Sequence, residues 1–366
     1  MSEAWVNGKA APLREAVAAA AALLRASRSP VLAGMGTDMV GTRAAILLAE
    51  ATGAAFDHMH AGHLLADLEV LRSSGAMLTT PNELRLRADT VLLVGAKAAV
   101  CADLPRLLAP AHPGLSQQAG PRRVISVGSV KTAALAGLDA QNLKASAAQL
   151  PAIVSSLLCA LRGKPIAAPP NSIATINSLA ATLQQAKFGV ALWSADEFAD
   201  DPIIPFMLTD LVTALNDTTR FSALPLAPAS NGAGVVQTAA WMTGFPMRTS
   251  FARGYPEHDT WRFDARRMVD SGEADSALWI SAYEDAAPPW SGKVPLIALT
   301  GPATQFRRAP QVRITVGRPG RDHDGVELSA ETSTFVPVTA SAPGALPGAA
   351  HVLTLISAAL APGGRA

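Results

Sequence analysis

Short strand-forming runs alternate with apolar helical segments through most of the chain, and this alternation limits its possible folds more than any other feature. Between residues 30 and 95, an apolar strand at 31–33 leads into a glycine turn, a helix, a second strand at 53–57 and a third at 90–94. Alternating strands and helices are typical of a parallel sheet with helices on both faces. We therefore predict a doubly wound α/β fold, in which ligands bind beyond the carboxyl ends of the strands.

A second alternating block follows a proline- and alanine-rich stretch at 164–170, which has the composition of a linker. Its predicted strands lie at 188–193, 221–226, 276–281, 296–299 and 312–316, and its predicted helices lie at 173–185, 204–216, 233–242 and 349–360. At 366 residues, the chain exceeds the length at which one hydrophobic core stops growing. The sequence thus predicts two doubly wound, Rossmann-like units.

Composition and charge argue against several classes of function. The chain has 30 Lys and Arg residues against 29 Asp and Glu, without a basic run, so nucleic acid is not an expected partner. The longest apolar run, at 16–24, is too short to span a bilayer, and the first residues lack the cationic start of a signal peptide. We expect a cytoplasmic protein without membrane contact.

The glycine turn at 34–41 has the position of a phosphate-binding loop, because it follows a strand and opens a helix that Thr37 or Asp38 is expected to cap. Its glycines, Gly34, Gly36 and Gly41, are spaced G-x-G-x-x-x-x-G rather than G-x-G-x-x-G, and the lysine of a Walker motif is missing. A tight strand-to-helix turn is therefore favoured over a nucleotide site.

Possible metal ligands concentrate directly after the second strand, at Asp57, His58, His60, His63 and Asp67. An apolar strand that ends in His-x-His is typical of metal-dependent amidohydrolases, which need further His and Asp ligands on later strands. The other histidines lie in Pro/Gly-rich loops or in the last helix: His112, His258, His323 and His351. In a doubly wound fold, this cluster is predicted to be a polar loop at the sheet's edge or a contact between subunits, with a metal site as the alternative.

Two later segments combine glycines with arginines. Residues 231–234 (Asn-Gly-Ala-Gly) precede a helix and residues 241–246 (Trp-Met-Thr-Gly-Phe-Pro) end it, so their glycines either turn the chain or let a ligand approach the backbone. The segment that follows is basic, through Arg248, Arg253, Arg262, Arg266 and Arg267. We expect a solvated or interface face there, with an anionic ligand as the alternative.

Cysteine chemistry and nucleophilic catalysis find little support. Cys101 and Cys159 are far apart, and two thiols alone do not form an iron–sulfur or zinc–thiolate site, which needs about four ligands. Cys159 lies in an apolar helical run and is predicted to be a packed core thiol. No Ser-His-Asp order, G-x-S-x-G elbow or pair of catalytic carboxylates is recognisable.

Taken together, several segments resemble the B subunit of formylmethanofuran dehydrogenase. That family belongs to the molybdopterin and tungstopterin oxidoreductases, the superfamily of formate dehydrogenase and DMSO reductase. The resemblance rests on short pieces in matching order and spacing: Gly36-Thr37-Asp38 with the helix to Glu50, Gly53-Ala54 with Asp57, residues 83–95, Asn231-x-x-Gly234, Trp241-x-x-Gly244-x-Pro246 and Phe251-x-x-Gly254-x-Pro256.

The chain departs from this family where the family holds its redox centres. The dehydrogenase protein begins with a cysteine cluster for a four-iron centre, whereas residues 1–26 contain no cysteine. The family places a metal-ligating cysteine or selenocysteine, followed by histidine, shortly after the second strand, where this chain reads Met59-His60-Ala61-Gly62-His63. We therefore assign no catalytic, cofactor-binding or metal-ligating residue and expect no cofactor and no N-terminal iron–sulfur domain.

A cofactor-less protein of this type belongs to the formyltransferase/hydrolase complex of methylotrophs. The resemblance implies a non-catalytic, structural B subunit, with the amidohydrolase (A) subunit and the formyltransferase (C and D) subunits as partners. The complex moves a formyl group between tetrahydromethanopterin and a methanofuran-type carrier and releases formate. The family also implies nested domains, with residues 59–170 inserted into a domain made of 1–58 and 171–366.

Two alternatives remain at this stage. One is a redox-active molybdenum or tungsten pterin subunit without a cysteine ligand, and the other is a metal hydrolase built on His58, His60 and His63. A structural subunit is further expected to expose a large apolar patch where its partners bind.

Overall fold

Helices and strands alternate through the computed structural model, which describes residues 3–99, 104–109, 122–128, 135, 139–167, 170–198, 203–329 and 331–361. The helices in these residues are α1 (Leu13–Ala26), α2 (Met39–Thr52), α3 (Ala61–Ser74), α4 (Pro81–Arg87), α5 (Ala96–Ala99), α6 (Leu104–Leu108), α7 (Leu150–Leu161), α8 (Pro170–Gln184), α9 (Ile203–Leu215), α10 (Gly232–Thr243), α11 (Ala265–Asp270) and α12 (Ala349–Leu360). The strands are β1 (Ala4–Val6), β2 (Lys9–Ala10), β3 (Pro30–Gly36), β4 (Ala55–Phe56), β5 (Thr90–Val94), β6 (Arg123–Val127), β7 (Asp139–Leu143), β8 (Gly189–Trp193), β9 (Phe221–Pro225), β10 (Thr249–Ser250), β11 (Glu257–His258), β12 (Ser276–Ser281), β13 (Leu296–Thr300), β14 (Val312–Thr315), β15 (Gly325–Leu328) and β16 (Phe335–Val338).

The chain divides into two compact units. The first consists of Met1–Ala61, Pro228–Ser329 and Thr334–Ala366, and the second consists of Gly62–Ala227 with Ala330–Ser333. Both are α/β units built on parallel sheets, as the alternating sequence pattern predicts.

In the described part of the first unit, nine strands form one sheet in the order β11-β10-β4-β3-β12-β13-β14-β1-β2. The strands from β4 to β14 are parallel, and the short strands at both edges pair antiparallel. All residues of β3 are buried, because a parallel strand covered on both faces needs a near-continuous apolar run. The chain passes from β3 through α2 to β4 on one side and resumes with β12 on the other, so the switch point lies between β3 and β12.

Two layers of apolar side chains cover this sheet. Val31 and Trp279, on neighbouring strands, share a core with the α11 residues Met268 and Val269. Because side chains alternate along a strand, the intervening residues such as Leu32 face the opposite layer. Helices α1, α2, α10 and α12 contact one another in the series α1–α12–α2–α10.

The second unit holds five parallel strands in the order β7-β6-β5-β8-β9. Helices α7, α8 and α9 share one core with Leu92 and Val94, whereas α4 and α6 share another with Val91 and Leu93. The alternating residues of β5 therefore contact both layers. The strand order reverses direction between β5 and β8, which is the switch point of this unit.

The division of the chain differs from the sequence-based one. The sequence-based division places residues 171–227 in the first domain, but β8 and β9 belong to the second unit because β8 pairs with β5, with Thr90 opposite Gly189. The stretch at 164–170, predicted to be a linker, lies inside the second unit, and Pro170 begins α8. The first boundary falls after Ala61 rather than after residue 58.

Single elements also differ. The weak strand predicted at 136–139 begins at Asp139 and continues to Leu143, while residues 136–138 lie outside the described residues. Cys159 lies on α7 but is only half-buried, so its prediction as a core thiol is wrong. Cys101 and His112 lie outside the described residues. No helix in the described ranges is both long and apolar enough to cross a membrane.

Candidate functional site

The glycine turn lies at the carboxyl end of β3, beside the switch point of the first unit. Asp38 caps α2: its Oδ1 accepts a hydrogen bond from Gly41 N–H at 2.9 Å, and its Oδ2 accepts one from Val326 N–H of β15 at 3.3 Å. Thr37 and Asp38 are both buried. The first turn of α2 therefore receives a carboxylate of the chain itself, where nucleotide-binding folds hold a phosphate group.

Asn231 ties this turn to the hairpin of β15 and β16. Its Nδ2 donates to Thr37 O at 3.0 Å, and its Oδ1 accepts from Leu328 N–H at 3.3 Å. A Cβ on Gly234 would collide with the Asn231 amide, so the Asn-x-x-Gly spacing leaves room for an internal cross-link. Since Asp38 already accepts from the helix terminus, this turn does not fit the phosphate groups of a nucleotide or pterin cofactor.

His58 is a buried, neutral histidine with both ring nitrogens engaged. Its Nδ1 accepts from the His60 backbone N–H at 3.0 Å, so its Nε2 carries the proton and donates to Ser230 O at 3.3 Å. Burial, with His60 as a second cause, lowers the pKa of His58 to about 3. A metal ligand needs a free nitrogen lone pair, which His58 lacks in this arrangement.

His60 and Ser230 converge on Glu284, which follows β12. His60 Nε2 lies 3.5 Å from Glu284 Oε1, and the Ser230 hydroxyl donates to the same oxygen. A serine nucleophile requires a base that accepts its proton, but the Ser230 hydroxyl points to a carboxylate that His60 also approaches. The arrangement links three loops at the switch point and lacks the order of a catalytic triad.

Asp57 lies at the end of β4 and is fully enclosed. Its Oδ1 accepts from His58 N–H at 2.9 Å, its Oδ2 accepts from Ala265 N–H at 3.1 Å, and Arg248 Nε lies 3.5 Å from Oδ2. Burial raises the pKa of Asp57 to about 7, although the Arg248 guanidinium opposes the shift. The carboxyl thus joins the end of β4 to the start of α11.

The arginines of the basic segment are mostly paired. Arg248 contacts Asp264, Arg253 Nη1 lies 3.1 Å from Glu257, Arg266 Nε lies 3.5 Å from Asp270, and Arg267 forms a bidentate pair with Glu273. Arg248, Arg266 and Arg267 line an open cleft of about 510 Å³ together with Thr260, Trp261, Asp264 and Asp270. Because each of these arginines has a carboxylate partner, the cleft is a weak candidate for a small anion.

The predicted His/Asp cluster is divided between the two units. Asp57, His58 and His60 belong to the first unit, whereas His63 and Asp67 lie on α3 in the second. Among the described residues, no three His, Cys, Asp or Glu side chains are grouped so that they could hold a metal ion.

The remaining predicted residues lie apart from this cluster. His258 is on β11 and donates through Nδ1 to Arg248 O at 3.0 Å. His323 contacts the carbonyls of Asp324 and Gly317, and His351 is exposed on α12. Gly244 ends α10 with a positive φ of 80°.

The sequence reasoning missed a second cluster, at the switch point of the second unit. Glu197, after β8, accepts hydrogen bonds from Ala96 N–H and Lys97 N–H, both at 2.7 Å, directly after β5. Lys97 and Ser194 both donate to Asp196, and His63 Nδ1 lies 4.0 Å from Asp196 Oδ1. The signal was available, because two parallel strands each end in a polar run: Gly95 to Lys97 and Ser194 to Glu197.

Asp67 belongs to the same unit and is buried. Its Oδ1 accepts from Trp193 Nε1 at 3.1 Å, and burial raises its pKa to about 6. In both units, a carboxylate of the chain therefore occupies the backbone donors after the first strand of the switch point.

Comparison with known proteins gives matches over nearly the whole chain. The chain is 37% identical over 364 residues to the B subunit of the formyltransferase/hydrolase complex Fhc from Methylorubrum extorquens, a match that covers 96% of each protein. It also matches a chain in the crystal structure of the FhcABCD complex from Methylorubrum extorquens with methylofuran, at 35% identity and a TM-score of 0.86, over 98% of both chains.

More distant similarity extends to a redox enzyme. The chain is 26% identical over 287 residues to the B subunit of the tungsten-containing formylmethanofuran dehydrogenase 2 from Methanococcus maripaludis, covering 69% of this chain and 61% of the relative. No family model matches the chain.

Proposed function

The chain belongs to the family of the B subunit of the formyltransferase/hydrolase complex, and we propose that it is the non-catalytic, structural B subunit of such a complex. It supports formyl transfer to a methanofuran-type carrier and hydrolysis of the formyl group to formate, while other subunits carry the chemistry. The observation that carries this proposal is the similarity over 96% of both chains to the protein from Methylorubrum extorquens.

The proposed partners are the amidohydrolase (A) subunit and the formyltransferase (C and D) subunits. The similar chain of known structure comes from a complex named FhcABCD, which supports these partners. We place the assembly in the cytoplasm, as its role in one-carbon metabolism requires.

The local geometry supports a structural role rather than a redox one. Asp38 and Asn231 use the polar groups around the first turn of α2 for internal hydrogen bonds, and Glu197 does the same at the start of α5. We propose that both units descend from domains of the molybdopterin oxidoreductase superfamily. In this lineage, internal carboxylates replaced the ligand at the switch points. A second α/β unit within the sequence of a first one, and the distant similarity to a tungsten enzyme, support that descent.

Turnover of the assembled complex tests the proposal. His60→Ala and Glu284→Gln alter the polar cluster at the switch point, and His60 is exposed enough to be replaced without opening the core. We expect formate release per assembled complex to remain at the wild-type value, and the chain alone to release none. Loss of turnover in a fully assembled variant complex would contradict a non-catalytic role.

A further inference from the structure

Exposed aromatic side chains concentrate in one segment of the first unit. In the described part of the chain, eleven large hydrophobic side chains are exposed, and five of them fall between residues 241 and 261. Trp241 is 62% exposed, Tyr255 53% and Trp261 68%. Single exposed apolar residues are common on monomers, but a cluster that contains two tryptophans is not.

Hydrogen bonds and ring contacts connect these side chains into one surface. The end of α10 carries Trp241, whose ring lies 5.0 Å from that of Phe335, and Phe245, which stacks on His258 at 5.9 Å. Arg248 follows on the same segment and donates to Thr260 O, next to Trp261. We refer to Trp241, Phe245, Arg253, Tyr255, Trp261 and Arg262 as the aromatic–arginine face.

Two glycines shape the loops that present this face. Gly244 and Gly254 adopt positive φ angles of 80° and 81°, which L-residues rarely adopt. They are the glycines of the Trp-x-x-Gly-x-Pro and Phe-x-x-Gly-x-Pro patterns. Trp241 and Tyr255 are therefore held at the surface by defined turns.

The charge of the face indicates the kind of occupant. Residues 248–267 contain five arginines and three carboxylates besides the histidine at 258, a local excess of positive charge in a chain with a net charge of +1. Exposed ion pairs such as Arg253–Glu257 contribute little, so these arginines are available to a partner's carboxylates. A symmetric contact between two copies would bring arginines against arginines, which disfavours self-association.

We infer that the aromatic–arginine face is the docking surface for another subunit of the complex, which presents an apolar centre with an acidic rim. This inference rests on the proposed function. Tryptophan, tyrosine and arginine are the residues that most often dominate binding energy at protein interfaces. The face also adjoins β11, an edge strand of the sheet, which a docked partner covers.

Substitutions in this face test the inference in the complete assembly. The chain is co-produced with its partner subunits, and assembly is measured by native mass spectrometry and by titration of the purified chain into the other subunits. We expect Trp241→Ala and Trp261→Ala each to weaken association about 30-fold or more, as hot-spot residues do. Arg262→Glu should weaken association and reduce its dependence on salt.

Leu71→Ala and Arg14→Glu are matched controls, because Leu71 is 43% exposed and Arg14 is exposed on helices outside this face. Both should assemble like the wild type. Wild-type assembly in the face variants, with unchanged thermal stability, would overturn the inference alone. Failure of the wild-type chain to assemble would instead refute the proposed function.

Two other outcomes would also overturn the inference. One is a homodimer of the isolated chain that Trp241→Ala dissociates, which would identify a second copy as the occupant. The other is binding to anionic phospholipid vesicles that Trp261→Ala abolishes, which would identify a membrane surface.

Discussion

Replacing Asp38 with alanine removes the internal carboxylate from the first turn of α2. The substitution takes away the acceptor for Gly41 N–H, at 2.9 Å, and for Val326 N–H, at 3.3 Å. It also leaves an empty position at the helix N-terminus, because Asp38 is 3% exposed and few water molecules can reach it.

The expected loss of stability combines two effects. Loss of a helix N-cap costs about 1 kcal/mol. A donor left without a partner costs about 1–2 kcal/mol at a partly accessible position such as Val326. We therefore expect Asp38→Ala to lower the free energy of unfolding by about 2–3 kcal/mol, and Tm by about 4–12 °C. Asp38→Asn keeps one acceptor and should lose less.

Urea denaturation and thermal unfolding with and without inorganic phosphate measure these effects. If Asp38 occupies an anion position, phosphate should partly restore the alanine variant. A site with a Kd of about 10 mM would regain about 1.4 kcal/mol at about 100 mM phosphate. Thr80→Ala, which removes the cap of α4 in the second unit, is the matched control and should show no phosphate dependence beyond the wild type. A loss below about 0.5 kcal/mol, smaller than a typical cap, would refute the reasoning.

The remaining predictions concern buried polar groups and one glycine. Native Asp57 keeps its proton up to about pH 7 against 3.8 ordinarily, so its contribution to stability is present at low pH and lost as pH rises towards 7. Native His58 stays neutral down to about pH 3 against 6.5 ordinarily, so its contribution is present above pH 6.5 and lost as pH falls towards 3. The two trends oppose each other between about pH 4 and 6.5, and Asp57→Asn should therefore make the free energy of unfolding rise with pH there; an unchanged pH profile in urea titrations would speak against it. Glu197→Gln keeps one of two acceptors after β5 and should destabilise the second unit by about 1–3 kcal/mol, seen as faster amide exchange, whereas wild-type exchange would count against this role. Gly234→Ala should cost about 1–3 kcal/mol, because its methyl group displaces the Asn231 amide; an unchanged Tm would contradict that contact.

Sequence patterns predicted the long buried elements well. The strands at 276–281 and the helix at 349–360 were predicted with the bounds the structure has, because continuous apolar runs and helical periodicity are strong local signals. Asp38 was predicted as one of two possible caps for α2, from its position between strand and helix. The sequence also predicted that the arginine-rich segment is a solvated or interface face.

Features that depend on long-range pairing were not predictable in the same way. The two-residue strands β4, β10 and β11 are too short for a period to be recognised. The hairpin of β15 and β16 acquires its role only by donating to Asp38 and Asn231, which are distant in sequence. Glu197 reaches the start of α5 because β5 and β8 pair, and that pairing also moves residues 171–227 into the second unit.

Molybdenum and tungsten content separates a structural role from a redox-active one most directly. The natively purified assembly is analysed for molybdenum, tungsten, iron and zinc, together with the amount of this chain. We expect no molybdenum, tungsten or iron, and zinc or another hydrolase metal only in the amount that matches the amidohydrolase present. Molybdenum or tungsten in a one-to-one ratio with the chain would contradict the structural role and assign a live cofactor site to it.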